Sequence, residues 1–158
     1  MTENPISHEE LLQQLMGRIE DQTTITVLYH HAIANKLGLN DTDHKCLDMM
    51  IRNPQPLTPS ELAVATGLTT GAITGVVDRL EKAGYIRRER DGKDRRRVTL
   101  HPIQEKVQEI VQLFDTMTEA ARDFLSQYSD SELAFISNLI DRFNAIGREQ
   151  IQRLRVEE

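Results

Sequence analysis

The chain has 158 residues and carries 19 Lys and Arg against 25 Asp and Glu, a formal net charge of -6. That length suits one domain or a domain with helical extensions, and the acidic average argues against nucleic-acid binding through bulk charge. Aromatic residues are 4% with no Trp, and the one cysteine, Cys46, excludes an intramolecular disulfide framework and a Cys-rich zinc site.

Met1 to Pro5 is polar and shows no basic or apolar leader segment. No run approaches the roughly 18 apolar residues of a membrane span, so a cytoplasmic location without a membrane partner is expected.

Ser7 with Glu10 fits a capping box at the start of a long first helix. Leu11, Leu12, Leu15, Ile19, Ile25, Leu28, Ala32 and Ile33 then recur at three- and four-residue steps, one apolar helical stripe that stops at Gly38. Asn40-Asp41-Thr42-Asp43 starts a second helix with Leu47, Met50 and Ile51 inward, ending before the loop Asn53-Pro54-Gln55-Pro56. Thr58-Pro59-Ser60-Glu61 is a capped start for a short third helix closed by Gly67. Thr69 or Thr70 caps a fourth, with Ile73, Val76, Val77 and Leu80 inward and Gly84 at its end.

From Tyr85 to Leu100 the period changes to alternation, with Asp91-Gly92 as a hairpin signal. Pro102 is expected to restart helix, and a stripe runs from Val107 to Leu125. Ser129 with Glu132 caps the last helix, whose stripe runs from Leu133 towards Leu154. The segment from Thr58 to Leu100 is too small to bury these long stripes. They are expected to pack on each other and on a second copy of the chain.

Thr58 to Gly84 reads as a helix-turn-helix: Gly67 at the bend, Ala63 small at the helix crossing, and Leu62, Leu68, Ile73 and Leu80 as shared core. A helix entering the major groove needs small or hydrogen-bonding residues on its exposed face. Thr69, Thr70, Gly71, Ala72, Thr74, Gly75, Asp78 and Arg79 supply them, with Thr58 and Ser60 flanking. The hairpin that follows is basic, as a wing reaching phosphates and the minor groove would be. Alternation places Arg95 and Arg97 away from Val98 and Leu100, and Arg90 and Lys93 join the candidate contacts. Arg96 shares the core side, and Asp94 is expected to brace an arginine, since a carboxylate repels phosphate.

Divided by segment, residues 58–100 hold 9 basic and 6 acidic residues, net +3, and the remainder is net -9. Such polarisation suits a localised DNA-contacting surface. The alternative is a winged helix whose basic ribbon meets an acidic protein partner. An enzyme is not expected: no phosphate-cradling Gly loop, no metal-ligand pair at i, i+4 and no nucleophile beside a base is visible. No cofactor or metal is expected either. His30 and His31 point to different helix faces, His44 and Cys46 diverge, and Cys46 has no resolving partner, so the histidines read as surface or interface residues and the thiol as core.

The runs Val77-Asp78-Arg79-Leu80-Glu81-Lys82-Ala83-Gly84-Tyr85-Ile86-Arg87-Arg88 and Asp91-Gly92-Lys93-Asp94-Arg95-Arg96-Arg97-Val98-Thr99-Leu100, with the flanking long helices, resemble the MarR family of transcriptional regulators. The resemblance implies a mainly α fold with a small β-hairpin wing. It implies N- and C-terminal dimerisation helices (1–38 and 102–158) around a winged helix-turn-helix lobe (39–101). It further implies a homodimeric regulator, commonly a repressor, on a pseudo-palindromic double-stranded operator, modulated by a small molecule. The family's effector site would fall here near Tyr29, His30, Ile33, Met49 and Arg52. His101-Pro102-Ile103-Gln104 departs from the family's usual wing exit.

Overall fold

The computed structural model describes residues 6–90 and 97–156. Six helices and one hairpin follow in order: α1 (His8–Lys36), α2 (Asp41–Arg52), α3 (Pro59–Thr66), α4 (Thr70–Lys82), β1 (Ile86–Arg90), β2 (Val98–Pro102), α5 (Gln104–Leu125) and α6 (Asp130–Val156). The fold is mainly α with a small hairpin, as expected. By compactness the chain parts into two units, one ending at Leu113 and one beginning at Phe114.

In the first unit the helix starts are written locally. Ser7 and Glu10 satisfy each other's backbone amides at the head of α1, and Thr58 and Glu61 do the same for α3. Asn40 caps α2 through the Asp43 amide, and Thr69, rather than Thr70, caps α4 through the Ala72 amide. Each cap satisfies an amide that the first helical turn leaves without a partner. Gly67 ends α3 at φ 75, a left-handed conformation that a side chain would strain. The chain can therefore turn sharply into α4.

Leu47, Leu62, Ile73, Val76, Val77, Leu80, Ile86 and Leu100 are fully buried and form the core of this unit. Burying each of the larger ones contributes about 1.5–3 kcal/mol. Leu68 is only half-buried, so it edges this core rather than filling it.

β1 and β2 pair antiparallel, Ile86 with Pro102, Arg88 with Leu100 and Arg90 with Val98. The hairpin expected from the sequence is present, while its turn signal, Asp91-Gly92, lies outside the described residues. Leu100 also donates its amide to the Leu57 carbonyl at 2.8 Å, which ties β2 to the approach to α3. Pro102 corrects the sequence reading: it closes β2, and α5 starts at Gln104. A proline lacks an N–H and is tolerated at the end of an edge strand, and Ile103 takes over by donating to the Tyr85 carbonyl at 2.9 Å.

The second unit holds the C-terminal half of α5 and all of α6. Ser129 and Glu132 form a further capping box at the head of α6. Phe124 meets Tyr128 edge to face, with ring centroids 5.5 Å apart. Within the single chain α6 buries none of its described side chains. Phe135, Leu139, Ile140, Phe143, Ile146, Ile151 and Leu154 are all exposed on it. In the first unit Leu11, Leu12, Leu15 and Met16 of α1 are exposed likewise. No single helix among the described residues is long and apolar enough to cross a membrane.

Candidate nucleic-acid interface

The exposed face of α4 begins at its cap. Thr70, Gly71, Ala72 and Thr74 lie open to solvent, Gly75 is half-buried, and Ile73, Val76, Val77 and Leu80 face the core. The Thr69 hydroxyl accepts from the Ala72 amide at 3.2 Å, and the Thr74 hydroxyl donates to the Thr70 carbonyl at 2.9 Å. Both hydroxyls thus have a fixed orientation before any ligand arrives. Thr58 spends its hydroxyl on the α3 capping box, while Ser60 is exposed.

The charged residues are more constrained than the sequence suggested. Asp78 pairs with Arg88 of β1 at 2.5 Å. Arg88 also pairs with Glu81, and its backbone amide donates to Glu81 at 3.1 Å. Asp78 is therefore a bracket between recognition helix and hairpin. Arg79 forms a two-point ion pair with Asp43 of α2, at 2.8 Å through Nε and 2.7 Å through Nη2. This hydrogen-bonded pairing raises the Arg79 pKa above its ordinary value, so the guanidinium stays charged. Sequence reasoning missed Asp43, reading it as part of a cap-rich helix start.

On the outer face of the hairpin, Arg87 pairs with Glu89 at 2.5 Å, and His101 lies 3.5 Å from Glu89 and 2.9 Å from the Thr99 hydroxyl. The residues at the unusual wing exit are thus stitched into the hairpin. Arg90 is exposed, and Arg97 lies 3.6 Å from Glu61 of α3. Lys93, Asp94, Arg95 and Arg96 lie outside the described residues.

The five residues proposed for an effector lie on two helices, Tyr29, His30 and Ile33 on α1 and Met49 and Arg52 on α2. The Tyr29 hydroxyl donates to the Leu113 carbonyl at 3.0 Å, and Ile33 belongs to the core. Met49 is half-buried, and the exposed Arg52 pairs with Asp48 at 2.6 Å. His30 instead lines a cleft of about 290 Å³ between the C-terminal half of α1 and the first turn of α2, with His31, Asp41, His44, Lys45 and Thr26. His30 and His31 both border this cleft. Adjacent helical residues diverge by about 100°, but α2 supplies the opposite wall, so one cleft spans both.

Within the cleft His30 and His44 stack edge to face, with centroids 5.5 Å apart. His31 Nδ1 lies 2.8 Å from Asp41, and the Asn35 amide lies 3.0 Å from His31 Nε2. Burial, then the neighbouring His30, lowers the His44 pKa. Among the described residues no three His, Cys, Asp or Glu are placed to hold a metal ion. Cys46 is buried, and burial with the nearby Asp43 charge pushes its pKa up to about 11. A redox-sensing cysteine needs the opposite, a stabilised and accessible thiolate.

A short helix, a glycine turn, a second helix exposing small and hydroxyl-bearing residues, and a hairpin fastened to that helix define a winged helix-turn-helix DNA-binding protein. Residues 37–97 match the family model described as the MarR family. The chain is 39% identical over 149 residues to an HTH-type transcriptional regulator of Bacillus subtilis, YcgE, covering 94% of this chain and 96% of that one. It is 33% identical over 114 residues to a putative regulatory protein for the hcr operon of Thauera aromatica, covering 72% and 68%. Among solved structures, a MarR family protein from Bacillus stearothermophilus superposes with a TM-score of 0.69 at 17% identity, covering 90% of this chain and 99% of that one. YusO of Bacillus subtilis follows the same fold, with a TM-score of 0.62 at 19% identity over 88% and 98%. The chain belongs to the MarR family and is a helix-turn-helix transcriptional regulator.

Proposed function

We propose that this regulator works as a homodimeric repressor on a pseudo-palindromic operator, released by a small-molecule effector. The observation that carries the dimer is the row of apolar side chains on α6, from Phe135 to Leu154, which the single chain leaves exposed. A second copy of the chain, presenting the same surface, is the occupant a two-fold interface requires. Residues 1–38 and 102–158 supply the dimer, and residues 39–101 read DNA. Two recognition helices roughly 34–36 Å apart would then meet successive major grooves.

Contacts are assigned to Thr69, Thr70, Gly71, Ala72, Thr74 and Gly75 along α4, with Arg90, Lys93, Arg95 and Arg97 following the phosphates. The effector site is assigned to the histidine-lined cleft rather than to a pocket at Met49 and Arg52. Its mixture of rings, a lysine and a carboxylate suits a small polar aromatic molecule, and its α2 wall leads directly to Asp43, which holds Arg79. Binding there would shift the population of lobe orientations that fit the operator.

The test is selection of duplexes from a random pool by the purified protein, followed by affinity and stoichiometry on the enriched sequence. Two half-sites bound by two chains support the reading. A confirmed dimer that enriches no sequence at moderate salt would favour an acidic protein partner on the basic ribbon.

A further inference from the structure

Asp43 is 2% exposed and lies on α2, outside the helix-turn-helix. Its Oδ1 accepts from Arg79 Nη2 at 2.7 Å, and its Oδ2 accepts from both Arg79 Nε at 2.8 Å and Asn40 Nδ2 at 2.9 Å. The Asp43 amide in turn donates to Asn40 Oδ1 at 2.8 Å. The carboxylate is therefore fixed from two sides, by the residue that caps its own helix and by the arginine of the recognition helix.

Arg79 has the opposite exposure. Its side chain is 54% exposed, although its partner is buried. A guanidinium has five N–H donors in a rigid plane. Asp43 takes one from Nε and one from Nη2, and the other three have no partner among the described residues. Nη1 lies 3.2 Å from the place a β-carbon would occupy on Gly75. The guanidinium thus lies back over Gly75, one turn nearer the end of α4 that enters the groove. A glycine there leaves the room it needs.

We propose that Asp43 is a positioning residue for DNA recognition, gripping Arg79 by its Nε edge so that the opposite edge of the guanidinium is presented to the duplex as a preset fork. This rests on the reading of α4 as the DNA-contacting helix. Phosphate oxygens and the guanine edge share the paired-acceptor geometry that such a fork fits. An arginine held in place before binding has less rotamer freedom to lose on the DNA. A carboxylate left alone would repel phosphate, but Asp43 is buried and its charge is offset by the group it orients.

The test is a double-mutant cycle on a duplex selected by the wild-type protein, with a scrambled duplex of equal length as control. Asp43→Asn keeps the shape of the side chain and removes the charge. It is expected to weaken the selected duplex about tenfold, with little effect on the scrambled one, and to cost almost nothing when Arg79 is already alanine. A purely structural tie between α2 and α4 would instead lower affinity for both duplexes by the same factor, together with the melting temperature. That result, or binding by Asp43→Asn within twofold of wild type, would overturn the proposal. If Asp43→Asn does not fold, Arg79→Lys decides: it keeps the charge and loses the fork. It is expected to bind the selected duplex nearly as weakly as Arg79→Ala, and wild-type affinity would refute the fork. Failure of the wild-type protein to select any duplex would instead defeat the underlying reading of α4.

Discussion

The Tyr85 hydroxyl donates a 2.8 Å hydrogen bond to the Leu37 carbonyl, joining the residue just beyond the recognition helix to the C-cap of α1. The ring is buried, and burial raises the phenol pKa, so the hydroxyl stays protonated and able to donate. Tyr85→Phe removes the bond and keeps the ring. It is expected to cost about 1 kcal/mol, seen as a lower denaturant midpoint with an unchanged slope. A midpoint equal to wild type would mean that the contact contributes nothing in solution.

Gly75→Ala sets helix propensity against arginine placement. Alanine is favoured over glycine in a helix interior by about 1 kcal/mol, but its β-carbon would lie 3.2 Å from Arg79 Nη1. Because the neighbour is the tip of a flexible side chain, stability should hold or rise while affinity for the selected duplex falls. Thermal melts and fluorescence anisotropy on the same preparation measure both.

The apolar row on α6 gives a direct test of assembly. Phe143→Glu and Ile140→Glu place a carboxylate among side chains that a second copy is expected to cover. Sedimentation at micromolar concentration should show the wild type as a dimer and the variants shifted towards monomer, with weaker operator binding. Variants that remain dimeric would move the interface away from this face.

His44 predicts a pH dependence of stability. Burial and His30 lower its folded pKa, while Asp48 and Asp41 act in the opposite direction and Lys45 with His30. The unfolded chain therefore takes up a proton at higher pH than the folded one. The stabilisation is fully present above about pH 6.5, the ordinary histidine value, and declines as pH falls towards the folded pKa. Melting temperature should drop on acidification through this window in the wild type and less in His44→Gln. The carboxylates of Glu10, Glu61 and Glu132 are held below their ordinary pKa by their capping hydrogen bonds. Their contribution is lost at lower pH, below about 4.3, which separates the two effects.

Cys46 should be inert in the folded state. With its pKa near 11 and almost no exposure, the thiolate is scarce at neutral pH. Alkylation by iodoacetamide is expected only under unfolding conditions, and mild peroxide should leave operator affinity unchanged. Rapid modification of the native protein would show that the thiol becomes accessible.

The parts of this fold written in short-range chemistry were legible in the sequence. Capping boxes, a glycine at a left-handed turn and the two helical stripes that flank the motif depend on neighbours a few residues away. The ion pairs were not, because Asp43 and Arg79 lie 36 residues apart and meet only once α2 packs on α4. A signal existed all the same: Asp43, Leu47 and Met50 fall on one helical face, and all three are buried. An acid on an apolar stripe needs a cation from elsewhere. The histidine cleft was missed because helix-face logic considers one helix at a time, whereas α2 closes the space over two adjacent faces of α1. Pro102 was misread because proline marks both a helix start and a strand edge, and only the pairing with Ile86 decides between them.

Arg88 spans from the hairpin to two acids on the recognition helix. The base of the wing therefore has no hinge of its own: a force that turns the hairpin also turns α4. On the proposed operator, a reader fastened in this way would act as a calliper with a fixed gap between its jaws. It would gauge the distance from one groove to the next as well as the bases within them. Operators with identical half-sites but different groove spacing would then be told apart by the work of bending the duplex to the gap, at positions the protein never touches.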